Sequence, residues 1–418
     1  TSLRPLVLDV ESGVSVNSEN RPRRPGELGV LKTSAVTYGV FRPDEHKTVM
    51  ASEIGRARVN PKAGSILVSR MNTVNLVGAS AYVGQDWPHL VLPDRIWQLR
   101  VDGDRAEPRW LHQLLTAPDT RARISDLATG TSGSMKNISQ DKFLSLEVPL
   151  PPLPEQRKIA AILSSVDDAI DKTQAVIDQL GVVKKAMMQE LLTKGLPGRH
   201  TRFKQTEIGM VPEEWEVRSI ESLLESCTYG VNCPLSADPL SGTPVLRMSN
   251  LQNDRLDLSD LKYADLAALP HDKTELRRGD LLFNRTNSAD LVGKVALVDT
   301  DRTLSYASYL LRLRTLPSVA STSWLFHRMA APDLQEELRS IATKGVSQSN
   351  INPTKMRAII VAVPPPDEQA EIVRTLDCLG ARAEAEADCL QQSRALKSAL
   401  MSVLLTGEVR VTPDEDAA

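Results

Sequence analysis

Two short polar stretches carry side chains suited to recognition. Arg70 with Asn72 and Thr73 follows the run Gly64-Ser65-Ile66-Leu67-Val68, and Arg285 with Asn287 and Ser288 follows Gly279-Asp280-Leu281-Leu282-Phe283 in the same register. An arginine fork can grip guanine or a phosphate, and an asparagine amide can address adenine through two hydrogen bonds. The same residues at a strand end also suit a turn, where they satisfy backbone groups and a buried carboxylate. Recurrence in both places fits either use. A second pair of stretches, Thr131 to Asn137 and Lys344 to Asn350, offers Lys136, Lys344 and Gln348 among Gly and Ser, a composition able to place amides and ammonium groups on phosphates. An ordinary solvated loop competes with that reading. Lys32 and Arg247 form a third matched pair, whose weaker suggestion is phosphate contact.

Enzyme signatures are missing from the sequence. No Gly-x-x-x-x-Gly-Lys-Ser/Thr phosphate loop occurs, which argues against ATP hydrolysis by this chain. No Asp/Asn-Pro-Pro-Tyr/Phe tetrapeptide and no strand-linked Gly-x-Gly loop occurs, which removes the usual basis for an amino-methyltransferase. The carboxylates of Pro43-Asp44-Glu45-His46-Lys47 are crowded, whereas a nuclease metal site needs them on separate strands. The six histidines fall singly, so a metal centre is not expected. A non-catalytic chain that binds no cofactor itself is the expectation.

These residues sit on a duplicated frame. Val30-Leu31-Lys32-Thr33-Ser34 matches Val245-Leu246-Arg247-Met248-Ser249, Trp110-Leu111 matches Trp324-Leu325, and Asn137-Ile138 matches Asn350-Ile351. Between the Gly64/Gly279 and Asn137/Asn350 matches the offset drifts by two residues, so the chain is a tandem duplication. Short apolar runs broken by Gly, Pro and Asp predict strands, with a helix at Arg109 to Leu115. The fold class expected is α/β (α+β), as two tandem mixed domains separated by two long helices. The boundaries expected are 1–149 for the first domain, 150–194 for a central helix, 195–205 for a basic linker, 206–362 for the second domain, 363–408 for a second helix and 409–418 for an acidic tail.

The helices themselves repeat. Pro154-Glu155-Gln156 and Pro366-Asp367-Glu368-Gln369 open them, and Leu-Leu-Thr closes both. Ile159, Leu163, Val166, Ile170, Ile177 and Leu180 are spaced four and three apart, as are Ile372, Leu376, Leu379 and, further on, Leu390, which is a coiled-coil seam. At about 1.5 Å per residue, some ~38 residues make a rod roughly 55 Å long. Thr173 and Lys184 interrupt the first seam, Glu386 and Lys397 the second. Antiparallel stacking of polar on polar layers predicts Lys184 beside Glu386 and Lys397 beside Thr173.

Bulk properties bound the reading loosely. The 418 residues are 41% hydrophobic and 25% charged with a formal net charge of -3, so any DNA-binding surface must be local. The four cysteines show no C-x-x-C spacing, which suits free thiols in a reducing compartment. No apolar run suits a membrane span and no basic-then-apolar leader pattern is seen, so a cytoplasmic location without a membrane partner is expected.

Taken together, the duplicated Pro-then-Glu-Gln helices, Ile208-Gly209 with Pro212-Glu213-Glu214-Trp215-Glu216, and the Gly279-Asp280-Leu281-Leu282 strand resemble the specificity subunit of type I restriction–modification systems over essentially the whole chain. The first domain departs from the pattern, since it begins Thr1-Ser2-Leu3-Arg4 without a Pro-Glu-Glu-Trp entry. The resemblance implies two target-recognition domains reading the halves of a bipartite double-stranded DNA target, with the long helices packed antiparallel as a spacer. It also implies partners: modification (methyltransferase) subunits that bind S-adenosylmethionine and methylate adenine, and restriction (translocase/nuclease) subunits that use ATP and Mg²⁺.

Overall fold

The computed structural model describes residues 1–37, 39–130, 135–266, 274–345 and 348–412. The chain divides into two units, one made of residues 1–174 with the chain from 388 onward, the other of residues 175–387. Each unit therefore holds one end of each long helix.

In the first unit an antiparallel sheet runs Val7–Ser12, Ile96–Val101, Ile66–Ser69, Ser80–Tyr82. A second sheet holds Gly29–Leu31 between parallel Leu90–Val91 and antiparallel His46–Val49. The second unit repeats the plan: Leu224–Tyr229, Leu310–Thr315, Leu281–Asn284 and Val295–Leu297 form the main sheet, and Thr243–Leu246 lies parallel to Ser305–Tyr306 in the smaller one. Residues Ile66 to Ser69 and Leu281 to Asn284 are buried throughout, which explains why they read as unbroken apolar runs rather than alternating ones.

A helical hairpin backs each main sheet: Pro108–Thr116 with Pro118–Asp126, and Thr322–Ala330 with Pro332–Ser340. Proline opens the second helix of each, where its missing N–H costs nothing. Trp110 and Trp324 anchor these hairpins and are fully buried. At ~25 cal/mol per Å² over ~150–250 Å², burial of each ring contributes about 4–6 kcal/mol, offset by about 1–3 kcal/mol for an indole N–H buried without a partner among the described residues.

The long helices span Leu153–Lys194 and Pro366–Leu404. Their ends belong to the cores of the units. Ile159, Leu163, Met401, Leu404 and Leu405 pack in one cluster with Trp97 and Trp110, and Met188, Leu191, Leu192, Ile372 and Leu376 with Trp215 and Trp324. Leu180 and Leu390 are buried too, whereas Val166, Ile170, Ile177 and Leu379 are half-buried. The seam residues that join a sheet domain's cluster, Ile159, Leu163, Ile372 and Leu376, are the most fully buried, because the domain adds a third wall there.

Within the first unit the helices run antiparallel, since Asp167 meets Lys397 at 2.6 Å and Glu155 meets Arg410 further along. The seam lysines take other ion-pair partners than the expected polar layers. Lys397 takes Asp167 rather than Thr173, and Lys184 takes Asp254, on a loop of its own unit, at 3.9 Å rather than Glu386. Lys397 crosses to a half-exposed carboxylate on the other long helix and Lys184 reaches a half-exposed carboxylate on a loop, so both ammonium groups stay at the solvated edge of the seam.

The Glu-Gln motif ties each long helix to its surroundings. Buried Gln156 accepts from the amide of Glu107 at 2.8 Å and donates to the carbonyls of Arg105 and Pro151. Gln369 does the same for Ser321, Val319 and Pro364. The glutamates receive the segment that follows the other helix. Glu155 takes both forks of Arg410, at 2.7 and 2.6 Å, which lowers its pKa despite desolvation. Glu368, fully buried, accepts from His200 Nε2 at 2.8 Å, Trp215 Nε1 at 2.9 Å and the Leu196 amide at 3.2 Å. The chain reaches that carboxylate through Gly195, whose φ of +82° ends the helix and whose missing Cβ would stand 2.6 Å from Glu368 Oε1.

Candidate DNA interface

The strand-end turns and the polar loops, distant in sequence, meet in the fold. Met71–Asn72 pairs with Lys136–Asn137, and Thr286–Asn287 pairs with Ser349–Asn350, which also pairs with Thr343–Lys344. The arginine before each ladder is pinned by its own backbone: the Arg70 carbonyl accepts from the Ile138 amide at 3.0 Å and the Arg285 carbonyl from Ile351 at 2.8 Å. Arg70, Asn72, Thr73 and Lys136 thus share one end of the first unit, and Arg285, Asn287, Ser288, Lys344 and Gln348 one end of the second. Thr131 to Ser134, Val346 and Ser347 lie outside the described residues.

Each arginine lies against an aromatic ring. The Arg285 guanidinium sits 5.3 Å from the Tyr229 centroid, and that of Arg70 6.0 Å from Trp97. Tyr229 faces Leu311 across its strand pair, and Trp97 faces Ser12 across the equivalent pair, so the ring is supplied from opposite strands. Arg285 also donates to Asn350 Oδ1 at 2.9 Å. The Nε of each arginine is buried without a hydrogen-bond partner among the described residues.

The asparagines serve the turns. Asn72 Oδ1 accepts from the Thr73 amide at 2.9 Å while its Nδ2 donates to Ser69 Oγ at 3.3 Å. Asn287 Oδ1 accepts from the Ser288 amide at 2.8 Å. A bidentate grip on adenine needs both amide atoms, and Asn72 has both engaged. Lys136 donates to the Gly130 carbonyl at 2.8 Å, and Arg247 is held by Asp260 at 2.7 Å with its Nε buried. Lys32 lies 3.6 Å from Glu45. Thr73, Ser288, Lys344 and Gln348 are exposed. Sequence reasoning missed Trp97, Tyr229, Asn352 and Arg357, because nothing in local spacing places them beside the turns. Asn137 and Asn350 did recur in the two copies, and that recurrence was the available signal.

In the second unit these residues line a cleft of about 660 Å³ bounded by Cys227, Tyr229, Arg285, Thr343, Asn350, Asn352, Pro353, Thr354 and Arg357. None of them is acidic. Arg357 is anchored by Glu221. Burial raises the Cys227 thiol above its usual range, though Arg357 nearby opposes this, so a neutral thiol faces the cleft. In the first unit Arg4, from the N-terminal segment, meets Asp141 on the short helix Gln140–Leu144 at 2.9 Å. Among the described residues no group of three or more His, Cys, Asp or Glu could hold a metal ion.

The duplicated plan agrees with that of a known family. The family model for the type I restriction modification DNA specificity domain fits twice, over residues 12–181 and 212–392. The chain is 27% identical over 312 residues to the type I restriction enzyme MjaVIII specificity subunit of Methanocaldococcus jannaschii, covering 70% of this chain and 69% of that one. It is 27% identical over 267 residues to the EcoKI specificity subunit of Escherichia coli, covering 63% of this chain and 56% of that one. In fold it resembles the crystal structure of the type I restriction-modification S subunit from M. genitalium, with a TM-score of 0.61 at 12% identity over 97% of this chain and 95% of that one. With two family matches that together cover most of its length, the chain belongs to the type I restriction modification DNA specificity family.

Proposed function

We propose that this chain is the sequence-recognition subunit of a type I restriction–modification complex, reading a bipartite double-stranded DNA target with one half-site for each unit. The observation that carries the reading is the duplicated interface: each unit sets an arginine against an aromatic ring beside a short ladder, on the same sheet and hairpin. The residues around those arginines differ, as two heads with different half-sites require. The long helices serve as the spacer, so helix length and register set the gap between half-sites. In this reading the chain performs no chemistry and binds no cofactor. Modification subunits bring S-adenosylmethionine and methylate adenine, and restriction subunits bring ATP and Mg²⁺ to translocate and cut. Arg70, Arg285, Lys136, Lys344, Gln348, Thr73 and Ser288 are the groups proposed to face DNA. No helix among the described residues is long and apolar enough to cross a membrane, and the cytoplasm, where the DNA lies, is the proposed site of action.

Domain exchange tests this. Replacing residues 206–362 with the corresponding segment of another family member should change one half-site in the cell's methylome and leave the other half-site intact. A simultaneous change in both halves would refute the two-head reading.

A further inference from the structure

We infer that the arginine cleft of the second unit is a clamp for the DNA phosphodiester backbone, so that Arg285 and Arg357 position the duplex while the bases are chosen elsewhere; this rests on the proposed function above. The lining fits an anion. It is lined by Arg285 and Arg357 with the polar residues Tyr229, Asn352, Thr343 and Thr354, and no acidic residue lines it. Both guanidiniums are held in place before any ligand arrives, Arg285 by Tyr229 and Asn350, Arg357 by Glu221, and both keep a buried Nε without a partner among the described residues. Fixed forks of this kind suit phosphate oxygens, because little side-chain freedom remains to be lost on binding.

The duplication argues against base reading by Arg285. Arg285 and Asn350 are matched by Arg70 and Asn137 in the other unit, although the surroundings have diverged. A contact kept in two heads that read different half-sites belongs to what both half-sites share, and every duplex shares its backbone. Phosphate contacts fix register and carry no sequence information directly. The second guanidinium is not shared. Seven residues after Asn350 stands Arg357, whereas seven after Asn137 stands Leu144. The second head therefore grips the backbone with two arginines where the first has one.

Salt-dependent binding of the full chain to duplex DNA tests the clamp. Arg285→Ala and Arg357→Ala should each weaken binding to a target duplex and to one with a scrambled second half-site by the same factor. Each should flatten the plot of log affinity against log salt by about 0.9, so that affinity falls roughly 3.5-fold less between ~50 and ~200 mM salt than in the parent. Arg285→Lys and Arg357→Lys keep the charge and should keep the parent slope. The clamp is overturned if the alanine variants leave the slope unchanged, if they relax preference at one base position, or if the lysine variants lose slope as fully as alanine does. A parent chain that discriminates no half-site at all would instead refute the proposed function.

Discussion

Glu368 offers the sharpest test of how the helices are fastened. Its carboxylate is fully buried and accepts from the Trp215 indole, the His200 ring and the Leu196 amide, all three drawn from the chain that follows the first long helix. Glu368→Ala leaves the indole N–H and the amide buried and unpaired, at about 1–3 kcal/mol each, and opens a small void beside them. Breaking a buried charged network in this way costs on the order of 3–5 kcal/mol in total. With a urea m-value of roughly 2–3 kcal/mol/M, the unfolding midpoint of the second unit should fall by about 1–2.5 M. Hydrogen exchange read by mass spectrometry at rising urea assigns the loss to peptides of one unit. Glu368→Gln keeps one acceptor and should fall between. Glu155→Ala should cost less, because its partner Arg410 is largely solvated and stays so when freed. A midpoint for Glu368→Ala within ~0.3 M of the parent, or a loss confined to the first unit, would show that the carboxylate is not the fastening point.

Acid should act on the first unit through His112. Burial, reinforced by the charge of Lys397, lowers its pKa from 6.5 to about 4, so the folded unit holds it neutral while the unfolded chain takes a proton. The stability this confers is complete above pH ~6.5 and is lost as pH falls toward ~4, reaching about 3 kcal/mol. His112→Phe should flatten the pH dependence of first-unit unfolding over that window, and an unchanged slope would exclude His112 as its source. Gly195→Ala combines a left-handed backbone with a Cβ driven into Glu368 and His200, and should lower second-unit stability by about 1–3 kcal/mol in the same urea assay.

Much of the frame was legible because it is local or repeated. The offset between Gly64 and Gly279 revealed the duplication, and the four-three spacing from Ile159 to Leu180 revealed the helix. What the helix does at its ends was not legible. Glu-Gln read as an opening motif, yet its meaning lies in residues far along the chain, Arg410 for Glu155 and Trp215 with His200 for Glu368. The partners of the seam lysines differ from the expected ones for a physical reason: a lysine on a half-open seam can reach a solvated carboxylate, on the other helix for Lys397 and on a loop for Lys184, rather than a polar residue in the seam itself. At the interface, Arg70 and Arg285 were identified by recurrence. Their aromatic supports could not be, because Trp97 and Tyr229 occupy different strands and leave no shared letter for a repeat to expose.

The division of the chain into units has a consequence for how the molecule is made. The second unit is one unbroken segment, residues 175–387, so it is translated in full before the stretch from 388 onward that belongs to the first unit. The first unit begins emerging earlier but lacks Met401, Leu404 and Leu405, which lie in the same cluster as Trp97 and Trp110. Until residues 401–405 are translated, an apolar flank of the first-made domain has no cover. The domain that starts first is therefore completed after the second, and a nascent chain stalled between residues 388 and 400 carries one exposed core, the kind of surface that chaperones hold and that aggregates when they do not.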